Sequence, residues 1–345
     1  MAHGIALIAG VGQVSALGIG KDLFAAGLEG GVAPRNPVVG NVQEFNLRDY
    51  VDIKTRCLDK VSAMALVSAN EVIRDARWQV DDAPDRVGLV LGTLFGNMSL
   101  MQAYLGLEKP SPLRFVHSLI NAPAGLVSQV LKLRGAHALL SSGASVGLQA
   151  IRYGCYLLAS GKADKVICGG VDSYGVMQTR SGDAIRTVDG AVPGEGAGFI
   201  GLERVADRPD AGYGVVAGSG VASFTGITVE HCCRAMIKAM HHGQCTAKDI
   251  DWVITATGAD HPHAAVEREA LCQLGVARDR WRDILSTVGQ TGGAQGGLAA
   301  VMACLLMDRQ AGVNDRQRVL VNALQAGQFV SVLIASRGKS SQLTR

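Results

Sequence analysis

Short apolar runs bounded by Gly, Asp or Ser alternate along the chain with stretches whose apolar residues recur at i, i+3 and i+4. These are the periods of buried strands and of amphipathic helices. The runs predict strands over 4–11, 86–93, 165–173, 198–205, 212–221, 251–258, 318–324 and 330–337. The helical period predicts helices over 61–77, 145–160, 231–242, 263–274 and 294–310. Strands that alternate with helices in this way define an α/β chain.

The pattern also repeats. "ALIAGVGQVS" (6–15) and "GVVAGSGVAS" (214–223) share Ala, Gly, Gly and Ser at matching places, four of ten. Each is followed by a helix and then by a strand ending in a small polar turn, "VLGTLFG" (90–96) and "ITATGAD" (254–260). A duplicated βαβ unit accounts for this order, with halves at 1–205 and 206–345 and no low-complexity linker between them. Two sheets stacked about central helices also explain why so many strands are apolar on every face.

Composition narrows the function classes. The chain has 345 residues, 48% hydrophobic and 18% charged, a balance shifted toward burial. A net charge of +3 gives no reason to expect nucleic acid or a membrane surface. The apolar N-terminus has no Lys or Arg ahead of its run and is interrupted by Gln13 and Ser15, unlike a signal peptide. No stretch reaches the ~18 uninterrupted apolar residues of a spanning helix. The eight cysteines (57, 155, 168, 232, 233, 245, 272 and 304) have no disulfide spacing and lie mostly in apolar runs. That usage suits a reducing compartment, and a cytoplasmic location is expected.

Three local motifs could carry chemistry. Gly143-Ala144-Ser145-Val146-Gly147 has the G-x-S-x-G form of a nucleophile elbow, which would make Ser145 an acyl-hydrolase or acyltransferase nucleophile. A triad needs a following acid and His, and none of His231, His241, His242, His261 and His263 sits in a recognisable post-strand loop. The small residues otherwise serve to turn a strand sharply into a helix. "EHCCRAMIKAMHHGQC" (230–245) is dense in His and Cys. On a helix, however, 231 and 242 lie about 16 Å apart at a rise of about 1.5 Å per residue. Zinc ligands lie within about 2.0–2.3 Å of one ion, so no metal site is expected. "GVGQVS" (10–15) lacks the third Gly and the distant acid of a dinucleotide fingerprint, and no cofactor is expected.

Longer motifs resemble the β-ketoacyl synthase family. "GVGQVSALGIG" (10–20) is similar to its first strand and turn, and "INAPAGLVSQVLKLRG" (120–135) to the segment leading into the nucleophile strand. "GLQAI" (147–151) resembles the opening of the nucleophile helix. "GKADKVICGGVDS" (161–173) follows it, and "VPGEGAGFIGLE" (192–203) resembles the G-E-G-A-G strand. The resemblance covers almost the whole chain and implies a thiolase-like, five-layered αβαβα fold built from two duplicated halves.

It also implies where chemistry should sit, and there the sequence departs. The place of the acyl-accepting Cys falls on Ala144, with Ser145 one residue later as the alternative occupant. The first catalytic His falls on Thr257, the motif Lys on Val288 and the second His on Gly293. The gating Gly-Phe-Gly-Gly loop has become "LQAGQF" (324–329), and the chain is shorter than working enzymes across 170–195 and 223–231. Condensation needs a thiolate and two hydrogen-bond donors for the developing enolate, which Ala and Gly side chains cannot supply. The resemblance therefore implies a catalytically silent, chain-length-factor-type subunit, as in type II polyketide, aryl-polyene or fatty-acid-like pathways. Its partner would be a catalytically complete ketosynthase, with an acyl carrier protein acting on the pair. A homodimer is also permitted by two-fold symmetry. The expected interface is a sheet-edge strand around 161–173 with 95–121 packed on the partner, through Phe95, Met98, Met101, Gln102, Phe115, His117, Leu119 and Asn121.

Overall fold

The structure, a computed structural model, describes residues 6–29, 40–53, 59–109, 111–173, 193–205, 212–258, 261–309 and 316–336. Its first half contains β1 (Ala6–Ser15), β2 (Gly18–Ile19), α1 (Lys21–Glu29), α2 (Lys60–Ala76) and β3 (Val87–Gly92). Then come α3 (Met98–Leu105), α4 (Pro112–Ser118), α5 (Ala122–Val130), β4 (His137–Leu140), α6 (Val146–Ala159), β5 (Lys165–Asp172) and β6 (Gly196–Arg204). The second half has β7 (Gly214–Ser223), α7 (Val229–His242), β8 (Trp252–Ile254), α8 (Ala264–Gln273) and β9 (Trp281–Arg282). It closes with α9 (Leu285–Val288), α10 (Gln295–Arg309), β10 (Arg318–Gln325) and β11 (Gln328–Ala335).

The strands run in the order β4-β3-β5-β6-β1-β7-β11-β10-β8-β9, with β2 beside β1. Read outward from the middle, each half repeats one pattern: two antiparallel pairings, then two parallel ones. The halves join where Ala6–Ile8 of β1 pairs with Gly214–Val216 of β7. Helices α6 and α10 pack between the two half-sheets, α2 lies on the outer face of the first, and α7 and α8 cover the second. Three hydrophobic cores result, one central and one under each outer layer. The boundary expected at 205/206 adjoins 206–211, which lie outside the described residues.

The repeated decapeptides coincide with β1 and β7, and their shared glycines have the same task. A Cβ on Gly12 would stand 2.0 Å from the Ser68 carbonyl of α2, and one on Gly220 2.0 Å from the Ala235 carbonyl of α7. Each outer helix thus lies directly on a strand backbone that has no side chain there, which only Gly allows.

Several boundaries differ from the sequence pattern for local reasons. Strand β1 continues to Ser15 because buried Gln13 donates to the carbonyls of Gly20 (2.7 Å) and Gly18 (3.2 Å), so its polarity does not end the strand. The strand expected over 251–258 stops at Ile254: Thr255 N still reaches the Arg282 carbonyl, but Glu267 captures the N–H groups of Ala256 and Thr257. Strand β5 is not a sheet edge: it lies between β3 and β6 and is almost wholly buried. The edge of the first half is β4, four residues that carry too little pattern to be read as a strand.

Candidate functional site

The elbow forms, but another part of the chain occupies it. Strand β4 ends at Leu140 and α6 starts at Val146, with Gly143 at φ +116° between them, a conformation available to Gly. Ser145 is the buried N-cap residue of α6, and its hydroxyl donates to Gln325 Oε1 at 2.8 Å. One turn on, Gln149 Nε2 donates to Gln328 Oε1 at 2.6 Å and approaches Ser145 Oγ at 3.3 Å. "LQAGQF" is the tip of the β10–β11 hairpin, with Gln325 and Gln328 the last paired residues before the turn. A Cβ on Gly143 would stand 2.7 Å from Gln325 Oε1, so the hairpin tip rests on the elbow itself. A carboxamide oxygen accepts the serine hydrogen but is not a base at neutral pH. Neither of Ser145's side-chain hydrogen-bond partners is an imidazole. Ala144, partly buried, contributes a methyl group.

At the C-terminal end of β5 a buried carboxylate organises the floor of the site. Asp172 accepts from Thr93 Oγ1 (2.7 Å), Leu94 N (2.8 Å), Phe95 N (2.9 Å) and Gly293 N (2.5 Å). Burial raises its pKa, and these hydrogen bonds oppose the rise. The contacts leave no space for a side chain at 293. A Cβ there would stand 2.7 Å from Asp172 Oδ2, 2.9 Å from Leu94 N and 2.9 Å from Thr93 Cα.

Thr257 belongs to a second buried network. Glu267 of α8 accepts from Ala256 N through both oxygens (2.9 and 3.0 Å), from Thr257 N (3.2 Å), Thr257 Oγ1 (2.9 Å) and Asn322 Nδ2 (3.0 Å). Ser331 donates to Asn322 Oδ1 at 2.8 Å. Burial also raises the Glu267 pKa. Thr257 is thus fully engaged in holding its loop. Val288 ends α9 in the central core, where a lysine would need to bury its ammonium group.

Three of the four expected positions lie on elements that meet. A Cβ on Gly147, just after the elbow, would stand 2.9 Å from the Gly293 carbonyl. Gln295 Nε2 donates to the Ala256 carbonyl at 2.7 Å, beside Thr257. Asp172 and Glu267, which hold these loops, were not among the candidates from sequence. An Asp ending an apolar strand, "ICGGVD", was the available signal for the first. Glu267 had none, because its role depends on donors from two other segments.

Of the expected interface residues, Met98, Phe115 and Asn121 are exposed, and Phe95, Met101, Gln102, His117 and Leu119 are half-buried. Asn97 Nδ2 donates to the His117 carbonyl at 2.8 Å, and the Tyr104 and Phe115 rings lie 5.5 Å apart, so α3 and α4 form one hairpin. On α7, His231 Nδ1 lies 2.7 Å from Thr228 Oγ1 and His242 Nδ1 2.8 Å from the Ser219 carbonyl, at opposite ends of the helix. The shortening expected across 170–195 falls largely on 174–192, outside the described residues. Among the described residues no helix is long and apolar enough to cross a membrane.

Comparison with known proteins follows the same lines. Residues 36–208 match the family described as β-ketoacyl synthase, N-terminal domain. The chain is 29% identical over 360 aligned positions to 3-oxoacyl-[acyl-carrier-protein] synthase 2 of Rhizobium meliloti (strain 1021), covering 87% of this chain and 85% of that protein. It is 28% identical over 307 positions to the protein of the same description from Staphylococcus aureus (strain N315), covering 78% and 74%. Among solved structures, the ishigamide ketosynthase/chain length factor superposes with a TM-score of 0.81 at 21% identity, over 97% of this chain and 100% of that one. The architecture is therefore thiolase-like.

Proposed function

The chain belongs to the β-ketoacyl synthase family, and from that premise we propose that it is a non-catalytic, chain-length-factor-type subunit. It pairs with a catalytically complete ketosynthase in polyketide, aryl-polyene or fatty-acid-like synthesis and helps shape the pocket that the growing chain enters. One observation supports the reading: at the elbow and the two loops where the resemblance expects a Cys and two His stand Ala144, Thr257 and Gly293, packed in with no room at 293 for a side chain. The space above is closed by Gln325 and Gln328. Without a thiolate no acyl chain is held, and without donors at 257 and 293 no enolate is stabilised. What remains is a rigid scaffold that a partner can use. The partner supplies the Cys and both His residues, and an acyl carrier protein serves the pair.

Two measurements test this. The isolated chain neither decarboxylates malonyl carrier protein nor retains an acyl group on denaturing mass spectrometry, whereas co-expression with a Cys-His-His ketosynthase yields a stable complex with condensing activity. Condensation by the chain alone would refute the proposal. The Ser145 alternative predicts covalent labelling by a fluorophosphonate. With its hydroxyl hydrogen-bonded to Gln325, labelling is expected to be absent in the native chain and unchanged by Ser145→Ala.

A further inference from the structure

A cleft of about 410 Å³ lies between the β1–β2 hairpin, α1 and residues 42–50. Among the described residues its lining shares nothing with the elbow or with the α3–α4 hairpin. Small-molecule sites occupy ~300–1,000 Å³ and are mostly apolar, with a few placed polar groups. Leu17 and Ile19 of the hairpin and Leu23 of α1 give this cleft aliphatic walls, and Phe45 and Tyr50 give it aromatic ones. Leu23 is 57% exposed, so the cleft is open to solvent along α1.

The walls are fixed by contacts outside the cleft. Val42 N donates to Glu195 Oε1 at 2.9 Å, and the Val42 carbonyl accepts from Lys60 Nζ at 2.9 Å. At the other end of this segment the Tyr50 carbonyl accepts from Asn70 Nδ2 at 2.9 Å. The Phe45 and Tyr50 rings meet edge to face with centroids 5.9 Å apart. Across the cleft, a Cβ on Gly18 would stand 2.8 Å from Leu23 Cδ1, and one on Gly27 2.8 Å from Leu17 Cδ1. Hairpin and α1 therefore interlock, and the space between the walls exists before a ligand enters, as in most small-molecule sites.

One polar group inside has an unused hydrogen. Ser15 lines the cleft and is 1% exposed. Its Oγ accepts from Leu17 N at 3.3 Å and donates to none of the described residues. A buried hydroxyl in that state gains from an acceptor brought by a ligand. Gln43 and Glu44 also belong to the lining, but both are exposed and stand at its rim. Glu44 disfavours an anion at the mouth, and a single hydroxyl does not offset the cost of burying a carboxylate. The geometry points to a binding site for an uncharged aliphatic compound with one carbonyl or hydroxyl oxygen, which accepts from Ser15. The site is separate from the proposed pairing with a ketosynthase and does not rest on it.

The probes are 1-octanol, 2-octanone and octanoate, followed by saturation-transfer NMR and titration calorimetry on the full chain. The two neutral compounds bind, and octanoate binds at least tenfold more weakly. Ala26→Phe, at an exposed position of α1 that lines the cleft, fills the space and weakens both at least tenfold. Leu23→Gln, which removes an aliphatic wall, gives the same loss and serves if Ala26→Phe folds poorly. Ser15→Ala lowers the affinity for 2-octanone about three- to tenfold, the effect of one hydrogen bond. Ile237→Gln, which removes an exposed apolar side chain on α7, leaves binding unchanged. Failure of both neutral compounds to bind up to their solubility overturns the inference. So does octanoate that binds as tightly, or binding that survives both cleft variants. Weakening by Gln325→Ala in place of Ala26→Phe would put the compound at the elbow and overturn it too.

Discussion

Gly293→His, which would place an imidazole where the family resemblance expects one, is expected to destabilise the chain by roughly 3–5 kcal/mol and to confer no condensing activity. Overpacking a filled core costs about 1–3 kcal/mol. Here the new Cβ would stand within 3 Å of Asp172 Oδ2, Leu94 N and Thr93 Cα. Two of the three are backbone atoms and cannot swing aside. Moving the loop to make room breaks the 2.5 Å hydrogen bond from Gly293 N to Asp172, and a hydrogen bond to a charged group contributes about 1.5–3 kcal/mol. Ala144→Cys, at a partly buried position, should change stability by less than about 1 kcal/mol. Denaturant titration of both single variants and the double variant separates the effects. A double variant of native stability that condenses malonyl and acyl carrier proteins would show that the site is only missing its side chains.

Asp172→Ala should cost a similar amount or more, about 4 kcal/mol. It strands the N–H groups of Leu94, Phe95 and Gly293 and the Thr93 hydroxyl, and each buried unsatisfied donor costs about 1–3 kcal/mol before relaxation. Thr93→Val, which removes one of the four and also strands the Gly96 N–H that Thr93 Oγ1 accepts at 2.8 Å, should cost about 2 kcal/mol. The loss should also depend on pH. Burial outweighs the hydrogen bonds and holds the folded pKa of Asp172 above its ordinary value. The contribution of such a group is full below the unfolded pKa, about 4, and declines as pH rises through the folded one. Paired melts of native and variant protein should therefore differ more in acid than at neutral pH. A gap that widens toward neutral pH would mean that the hydrogen bonds, and not burial, dominate.

Much of the fold was legible because it follows from one-dimensional patterns. Predicted helices 145–160 and 294–310 match α6 and α10 to within a residue at each end. Both are bounded by Gly-rich or polar turns that stop an apolar period. The edge strand was not legible. A strand of four residues, His137–Leu140, has no measurable alternation, and it exists because β3 offers it a parallel partner. The sheet edge expected at 161–173 is an inner strand for the same reason, since a strand's place in a sheet is a property of its neighbours.

For the site, the family resemblance points to Ala144, Thr257, Val288 and Gly293 from motif spacing alone. They did not place Gln325 over the elbow, 180 residues away in the chain, nor Asp172 beneath Gly293, 121 residues away. The sequence by itself determined the α/β class, the duplicated strands and the absence of a nucleophilic thiol at 144, because composition and period are local. Only the tertiary structure decided that the β10–β11 hairpin tip rests on the elbow and that residue 293 has no room for a side chain. Each of those depends on atoms brought together from distant segments, which spacing along the chain does not encode.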